Sequence, residues 1–533
     1  MPTHEVLNQA PPLEVNLYAV DRALQDAVER EGAGWARAQL AGFGAFAGSR
    51  EAQLWAAQAN ENPPRLRTHD RYGRRVDEVD FHPAWHEMMR AAVANGIHAL
   101  PWETPREGAH VARAALMFLD SENEFGHGCP ISMTYSAVPA LRRQPELARE
   151  WEPRIASRAY DSRFAPAPAK SGALVGMAMT EKQGGSDVRA NTTRAARDGE
   201  AFRLTGHKWF CSAPMSDAFL VLAQAPGGLS CFLLPRWTPD GARNRFFLQR
   251  LKDKLGNRSN ASSEVELDGA WAQLVGEEGR GVPAILEMVN HTRLDCVIGS
   301  TAVLRQAVWQ AAHHCRYRSA FGKRLAEQPL MRNVLADLSV EAEASVLLMM
   351  RLARAYDRPA EAPFRRIGTA VSKYWICKRA PQGVGEALEC LGGNGYVEES
   401  GLPRLYREAP LNSIWEGSGN VICLDVLRAL AKEPQAAGAL LDELRAARGA
   451  DRRLDAHLDS AEAQLANPEE SQARRLVEAL ALALQGALLV RHAPRAVADA
   501  FCASRLAGDW GHAFGTLPRG VDLQALIDRA TPS

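Results

Sequence analysis

One carboxylate, Glu416, lies between a tryptophan and a glycine-rich turn in "LNSIWEGSGNVICLDVLR" (411–428). A desolvated carboxylate with a raised pKa can act as a general base toward a weakly acidic proton. The same residue is also explained as an acid near the start of a helix, where the macrodipole favours negative charge by roughly 0.3 to 1 kcal/mol. Taken alone, the stretch favours the second interpretation.

Two further stretches could hold a phosphate or a planar ring. "AMTEKQGGSDVRANTTRA" (178–195) follows a predicted strand, so its backbone N–H groups and the hydroxyls of Thr180 and Ser186 can turn toward a polar ligand. "HKWFCSAP" (207–214) places aromatic residues beside small hydroxyl and thiol side chains, which suits one face of a heterocycle. The alternatives are an ordinary surface loop for the first stretch and packed core aromatics, Trp209 and Phe210, for the second.

A glycine-rich turn ends a predicted helix in "ECLGGNGYVEESGLPRLYRE" (389–408). Such a turn is a common helix C-cap. Because no strand precedes it, it does not fit a dinucleotide-binding glycine fingerprint. The nine cysteines are odd in number and never spaced as CxxC, which predicts reduced, mostly buried thiols rather than a disulfide framework or a zinc site.

The pattern of elements predicts four regions that would position these stretches. Residues 1–172 alternate amphipathic helical segments with turns, and "FAPAPAKSG" (164–172) interrupts them. Residues 173–285 contain the short β-rich segments of one compact β domain: "ALVGMAM", "AFRLTGHKWF", "AFLVLAQ", "SCFLLP", "NRFFLQRL" and "SEVELDGAWAQLVG". Helical periodicity returns in 286–432, and after a joint at 431–439 the region 433–533 is again helical, with a loop at "ANPEESQ".

Charge and hydropathy exclude several classes of protein. Lys plus Arg and Asp plus Glu both total 63, so no global charge excess attracts nucleic acid or an acidic membrane. The N-terminal sequence lacks the pattern of a secretory signal, which predicts a cytoplasmic protein. "LVEALALALQGALLV" (476–490) is too short and too polar to span a bilayer and predicts a buried helix.

The stretches 178–195, 207–214 and 389–408 together resemble the acyl-CoA dehydrogenase flavoproteins. The resemblance covers roughly residues 100 to 430. "RSAFGKRLAEQPLMRNVLADL" (318–338) also resembles the family's Arg-x-x-Phe-Gly turn. Longer sequence segments and the extra C-terminal hundred residues are similar to those of the alkylation-response subgroup of this family. The family's two motifs are matched by Ala178, Met179, Thr180, Glu181, Gly184, Gly185, Ser186 and Asp187, and by Glu389, Gly392, Gly393, Gly395, Tyr396, Glu399, Arg404 and Glu408.

The resemblance implies an α+β fold with a helical N-terminal domain (1–172), a central β-barrel (173–285), a helical bundle that completes the flavin site (286–432) and a helical C-terminal extension (433–533). It also implies FAD as cofactor and assembly as a homotetramer, in which a neighbouring subunit supplies part of the flavin site. The residues implied to contact FAD are Met179, Thr180 and Ser186, then Phe210, Cys211 and Ser212, then Arg318, Glu389 and Gly393, and finally Trp415, Ser418 and Asn420. No metal is implied.

By the same resemblance, Glu416 is the catalytic base that takes the α-proton of an acyl-CoA as the β-hydride moves to the flavin. In one branch of the family the base comes from an earlier helix, but the matching position here is Thr292. The indole of Trp415 beside the base is expected to narrow the acyl cavity. We therefore expect weak activity on short or branched acyl groups.

The resemblance carries a second function, protection of double-stranded DNA during alkylation stress through the C-terminal extension, with vestigial dehydrogenation. Phosphate binding requires Lys and Arg on one face. Residues 436–533 hold eleven arginines, no lysine and thirteen acids. Arg445, Arg448 and Arg452 recur at helical spacing, as do Arg491 and Arg495, so an arginine stripe and an ordinary solvated, ion-paired face both stay open.

Overall fold

The computed structural model describes residues 3–531 of the 533-residue chain, and most of them are helical. The helices up to the strand block are α1 Leu17–Val20, α2 Arg22–Arg30, α3 Arg37–Ala47, α4 Arg50–Glu61, α5 Pro83–Ala94, α6 Leu100–Glu103, α7 Ala109–Ser121, α8 Gly128–Leu141 and α9 Pro145–Ile155. The later helices are α10 Gly281–Tyr317, α11 Pro329–Asp357, α12 Ala362–Glu389, α13 Gly393–Tyr396, α14 Leu402–Glu408, α15 Gly419–Lys432, α16 Pro434–Arg445, α17 Arg452–Ala466, α18 Ala473–His492, α19 Arg495–Phe501 and α20 Leu523–Ala530.

Seven of the eleven strands in residues 3–531 lie between residues 173 and 285, the block that the sequence predicts. The strands are β1 Arg65–His69, β2 Arg75–Asp80, β3 Val175–Ala178, β4 Arg194–Asp198, β5 Ala201–Ser212, β6 Ala218–Ala225, β7 Gly228–Pro235, β8 Phe246–Leu251, β9 Ser262–Val275, β10 Ser319–Ala320 and β11 Lys323–Arg324. Each of the six predicted β segments forms a strand. Strand β4 and the hairpins β1–β2 and β10–β11 were not predicted, because they are short and charged residues interrupt their few apolar positions.

The contacts divide the chain into two compact units. A helical unit comprises residues 3–50, 106–123 and 296–531, and a barrel unit comprises residues 51–105 and 124–295. The N-terminal helices contribute to both units. The predicted boundaries at 172 and 432 lie at changes of secondary structure, whereas 285 lies four residues inside α10, and all three stay predictions.

In the barrel unit, hydrogen bonding runs β6–β4–β5–β9–β7, and β7 pairs back to β6. This ring of five strands closes the predicted barrel, with β3 added beside β6 and β8 beside β9. Alternate side chains fill the interior, among them Phe202, Phe219 and Phe232. The β5–β9 register shifts between Lys208 and Cys211, so the pairing is irregular at Trp209 and Phe210.

In the helical unit, α11 is the central helix, because its residues from Leu335 to Ala353 are buried without interruption. It packs against α2, α7, α12, α18 and α20. Helix α18 is buried along 479–489, which confirms the prediction of a buried helix over 476–490. Among residues 3–531, no helix combines the length and the apolar character that a membrane crossing requires.

The thiols follow the prediction made from their spacing. All nine cysteines are buried and none is joined in a disulfide. They therefore pack as small apolar side chains.

Candidate active site

Glu416 lies in the helical unit, in the turn that joins the 3-10 segment 411–413 to α15. Its backbone adopts a left-handed conformation with φ +58°, and Gly417 follows with φ +105°. A non-glycine residue with positive φ is uncommon, and such strain of the order of 1 kcal/mol recurs at functional sites. The turn therefore presents a half-buried carboxylate through a backbone path that glycine would adopt more easily.

A buried lysine holds this turn in place. Lys373, in α12, is 1% exposed and donates from Nζ to the Gly417 carbonyl at 2.7 Å. The carbonyl next to Glu416 is thereby fixed to a rigid helix. Sequence reasoning missed Lys373, because nothing in the pattern of α12 distinguishes a buried lysine from a solvated one.

The neighbours of Glu416 are each oriented by a specific contact. The Trp415 indole N–H donates to Asn412 Oδ1 at 2.7 Å, and Asn412 is itself buried. Ser418 is exposed at the N-cap of α15, and its side chain makes no capping hydrogen bond there. Asn420 Oδ1 accepts a hydrogen bond from Arg474 Nε at 2.8 Å. The side-chain oxygen of Asn420 is therefore already bonded to an arginine of the C-terminal extension.

Arg318, directly after α10, donates to the backbone carbonyl of Asn8 at 2.8 Å. Glu389, the last residue of α12, and Gly393 are exposed, and open space surrounds Gly392 and Gly393. The ends of α10 and α12 meet at Cys315, whose thiol lies 3.9 Å from the Cys390 carbonyl. The structure thus brings the helix ends that carry Arg318 and Glu389 together, and it commits Arg318 to the N-terminal segment.

In the barrel unit, the loop after β3 is built around Glu181, which is fully buried. Lys208 Nζ donates to Glu181 at 2.9 Å, and the backbone N–H groups of Thr192 and Thr193 donate at 2.7 and 3.1 Å. Burial by itself would raise the Glu181 pKa, but the Lys208 ammonium and these hydrogen bonds hold the pKa below its usual range. The matched motif therefore contains a structural carboxylate that gives the loop its shape.

This anchoring positions the predicted flavin contacts at the loop. The Thr180 carbonyl accepts from Trp209 N at 2.8 Å, and the Met179 carbonyl accepts from Asn191 at 2.9 Å. Ser186 is exposed near the turn at Gly184, whose φ of +142° lies in the glycine-favoured range. The loop therefore presents Ser186 to solvent while its two ends are fixed to the barrel.

The strand residues Phe210, Cys211 and Ser212 point in different directions. Phe210 is 50% exposed, and Lys252 lies 3.1 Å from the ring centroid of its neighbour Trp209. Ser212 Oγ lies within 3.4 Å of Asn260 Nδ2. Cys211 packs inside the barrel core, where burial raises its pKa to about 12. Strand alternation turns the Cys211 side chain inward, so the predicted flavin contact at this residue stays a prediction for its backbone atoms.

The predicted residues therefore form two groups, one in each compact unit. Met179, Thr180, Ser186, Phe210 and Ser212 belong to the barrel unit, and the remainder belong to the helical unit. In the barrel unit, an exposed phenyl ring and an anchored hydroxyl loop are features that suit a planar ring with polar atoms. In the helical unit, an open diglycine turn is a feature that suits a phosphate.

Three family models match the chain. The adaptive response protein AidB N-terminal domain matches residues 8–162, the acyl-CoA dehydrogenase middle domain 176–270 and the acyl-CoA dehydrogenase C-terminal domain 279–431. The chain is 50% identical over 508 residues to the "Putative acyl-CoA dehydrogenase AidB" of Escherichia coli K12, with 94% of each chain covered. The chain belongs to the acyl-CoA dehydrogenase family.

Further relatives agree with that assignment. Acyl-CoA dehydrogenase family member 11 of Caenorhabditis elegans is 34% identical over 71% of this chain and 64% of its own. The crystal structure of C. elegans ACDH-11 in complex with C11-CoA superposes with a TM-score of 0.86 and 30% identity, covering 95% of this chain and 94% of that one. This acyl-CoA dehydrogenase is accordingly an FAD-dependent oxidoreductase with the family's helix–barrel–helix architecture.

Proposed function

We propose that this acyl-CoA dehydrogenase oxidises the Cα–Cβ bond of a short or branched acyl-CoA, with Glu416 as the base that removes the α-proton. The observation that carries the proposal is the Glu416 turn. The half-buried Glu416 carboxylate lies on a strained backbone turn. The buried Lys373 connects that turn to α12 by a hydrogen bond. Bound FAD supplies the acceptor for the β-hydride.

Two groups of the chain act on the acyl thioester in this proposal. The Glu416 carboxylate accepts the α-proton, and the Glu416 backbone N–H donates to the thioester carbonyl as negative charge develops there. The tie from Lys373 to Gly417 keeps both groups in one orientation. The Trp415 ring, held by Asn412, limits the space for the acyl chain.

The experiment is anaerobic bleaching of the FAD-loaded enzyme with butyryl-, isobutyryl-, isovaleryl-, octanoyl- and undecanoyl-CoA. We expect Glu416→Gln to slow bleaching by roughly 10²- to 10⁴-fold, the usual contribution of a general base, while the flavin spectrum persists. The matched control is Glu470→Gln, which changes an exposed glutamate of the C-terminal extension and should bleach at the wild-type rate. Equal bleaching by Glu416→Gln and wild type would refute the assignment.

The same series tests the acyl preference. The C. elegans relative was crystallised with C11-CoA, which makes undecanoyl-CoA the informative long substrate. We expect the short and branched esters to bleach the flavin faster than undecanoyl-CoA. Faster bleaching by the C11 ester would contradict the role given to Trp415 without affecting Glu416.

DNA binding through the C-terminal extension stays a prediction, and most of the arginines named for it are already paired. Arg445 makes a bidentate ion pair with Glu462, and Arg448 contacts Asp459 and Glu462. Arg491 pairs with Glu443. Helix α16 ends at Arg445 and Arg452 begins α17, so Arg445, Arg448 and Arg452 do not lie along one helix.

A gel-shift titration of double-stranded DNA at 50 and 200 mM salt tests that function. If the paired arginines do not reach phosphates, the weak binding that remains should fall by much less than the roughly 10³- to 10⁵-fold expected for six to ten phosphate contacts. A DNA affinity that falls steeply with salt, and less steeply in Arg445→Gln, would instead support DNA binding by the extension and therefore the protective function.

A further inference from the structure

The N-terminal segment 8–11, ahead of α1, lies against the end of α10 in the helical unit. The Asn8 side chain makes two hydrogen bonds with the backbone of Ser319, the first residue of β10. Its Nδ2 donates to the Ser319 carbonyl at 2.9 Å, and its Oδ1 accepts from the Ser319 N–H at 2.7 Å. A side-chain amide that pairs in this way replaces one residue of a neighbouring strand. Asn8 therefore fixes the base of the hairpin β10–β11.

The backbone of Asn8 makes a third contact. Its φ of +55° lies in the left-handed region, which asparagine adopts more readily than most residues with a side chain. In this conformation the Asn8 carbonyl accepts from Arg318 Nη1 at 2.8 Å while the side chain reaches Ser319. One residue thus contacts Arg318 and the residue that follows it.

A second attachment keeps the segment in place. His313 Nε2 lies 2.7 Å from the Pro11 carbonyl, and because a carbonyl only accepts, this nitrogen carries the ring proton. His313 belongs to α10, whose end also precedes Arg318. The attachments at Asn8 and Pro11 together fix the direction of the Asn8 carbonyl relative to α10.

Arg318 is a half-buried cation without a counter-ion. Within residues 3–531, its guanidinium makes no ion pair, and the Asn8 carbonyl is the one acceptor that it contacts. A guanidinium has five N–H donors in a planar fork, so most of them remain for a ligand. That fork suits the oxygens of a phosphate. The donor set therefore fits the pyrophosphate of FAD, the contact that the family resemblance implies for Arg318.

The hydrogen bond to Asn8 restricts Arg318 before any cofactor binds. A long arginine side chain loses much conformational entropy when a ligand orders it. Because the Asn8 carbonyl already limits the rotamers of Arg318, less of that entropy is lost on binding. An arginine oriented in advance therefore binds a phosphate more tightly than a free one.

We propose that Asn8 is a positioning residue of the flavin site, which orients the Arg318 guanidinium for the pyrophosphate of FAD. The N-terminal segment 8–11 is then part of the cofactor site. This inference rests on the flavin contact implied for Arg318, and it does not depend on the chemistry proposed for Glu416.

Titration of FAD into the flavin-free, full-length protein tests the proposal, with quenching of flavin fluorescence as the measurement. We expect Arg318→Met to weaken FAD binding by roughly 10- to 100-fold, the range of a hydrogen bond to a charged group. Asn8→Ala removes both bonds to Ser319 and should weaken binding about threefold to tenfold. Asn8→Gly removes the same bonds but adopts a φ of +55° without strain, so it should match Asn8→Ala.

A double-mutant cycle separates positioning from a general disturbance of the fold. If Asn8 acts through Arg318, adding Asn8→Ala to Arg318→Met should weaken FAD binding no further. The matched control is Asn62→Ala, at another exposed asparagine, whose side chain donates to the Gln58 carbonyl. It should bind FAD as tightly as the wild type.

Four results would overturn the proposal. Unchanged FAD affinity in both Asn8 variants, with weaker binding by Arg318→Met, would exclude the role of Asn8 alone. Additive losses in the double variant would show that Asn8 does not act through Arg318. Unchanged affinity in Arg318→Met would remove the contact on which the inference rests. Smaller species of the Asn8 variants in light scattering would show that Asn8 acts on assembly instead. None of these results alters the bleaching test of Glu416.

Discussion

At the scale of single residues, the candidate site depends on two buried lysines that pair with the backbone or with a buried acid. Lys373 donates to the Gly417 carbonyl beside the proposed base, and Lys208 donates to Glu181 in the loop that follows β3. Both ammonium groups are almost completely removed from solvent. Each lysine thus orders a loop that carries predicted site residues.

Replacing Lys373 with methionine tests how far the Glu416 turn relies on its anchor. Lys373→Met keeps the buried apolar stem and removes the donor to Gly417. We expect the rate of flavin bleaching by acyl-CoA to fall by about tenfold, with a smaller change in the half-saturating substrate concentration, because the carboxylate loses its fixed orientation.

The control is Lys432→Met, at the exposed end of α15, which should leave the bleaching rate unchanged. Stopped-flow absorbance of the flavin measures both variants. An unaltered rate in Lys373→Met would show that the strained turn holds itself without the lysine.

At the scale of elements, a buried charge network joins the C-terminal extension to the central helices of the helical unit. Glu341 in α11 accepts from Arg379 in α12 at 3.0 Å and from Arg505 at 3.1 Å. Arg505 also pairs with Asp337, and its guanidinium lies 4.4 Å from the Trp510 ring. The extension is therefore part of the core of this unit.

This network predicts a loss of stability in acid. Burial alone would raise the Glu341 pKa, but Arg379 and Arg505 lower it to about 2. A folded-state pKa below the unfolded value stabilises the protein above roughly pH 4.5, and that contribution disappears as the pH falls toward 2. We expect up to about 3 kcal/mol of the free energy of unfolding to be lost across this window.

Urea titrations between pH 5 and 2.5 measure this contribution. Glu341→Gln should be less stable at pH 7 by about 3 to 5 kcal/mol, because two buried arginines lose a charged partner, and its stability should change less with acid. Glu327→Gln, at an exposed glutamate, should keep the wild-type profile. A Glu341→Gln profile parallel to that of the wild type would contradict the assignment.

At the scale of the whole molecule, the hairpin β10–β11 exposes an apolar side chain that a single chain leaves uncovered. Phe321 is 98% exposed and Leu330, at the start of α11, is 84% exposed. Phe321 and Gly322 both have positive φ, as hairpin turns require, although a phenylalanine adopts that conformation at a cost. These features fit the homotetramer that the family resemblance implies, and we propose that neighbouring chains in it cover the hairpin and complete the flavin site.

The variant Phe321→Ser should weaken that assembly. Truncating an interface aromatic costs about 2 kcal/mol or more, which corresponds to roughly 30-fold in affinity. We expect smaller species in light scattering and a lower ratio of flavin to protein absorbance after gel filtration. Tyr72→Ser, at an exposed aromatic of the β1–β2 turn, is the control that should keep both properties. A wild-type monomer that retains FAD would contradict the proposal.

The sequence by itself determined the family, the block of strands between helices, the buried thiols and the turn that carries Glu416. These follow from local periodicity, from cysteine spacing and from motifs whose residues are close in the chain. The tertiary structure alone decided that Cys211 faces the barrel interior, that Glu181 is a buried anchor and that Lys373 holds Gly417. It also showed that Arg445 and Arg448 are paired with acids. These outcomes depend on partners brought together by folding, and local sequence does not specify the pairing of side chains distant in the chain.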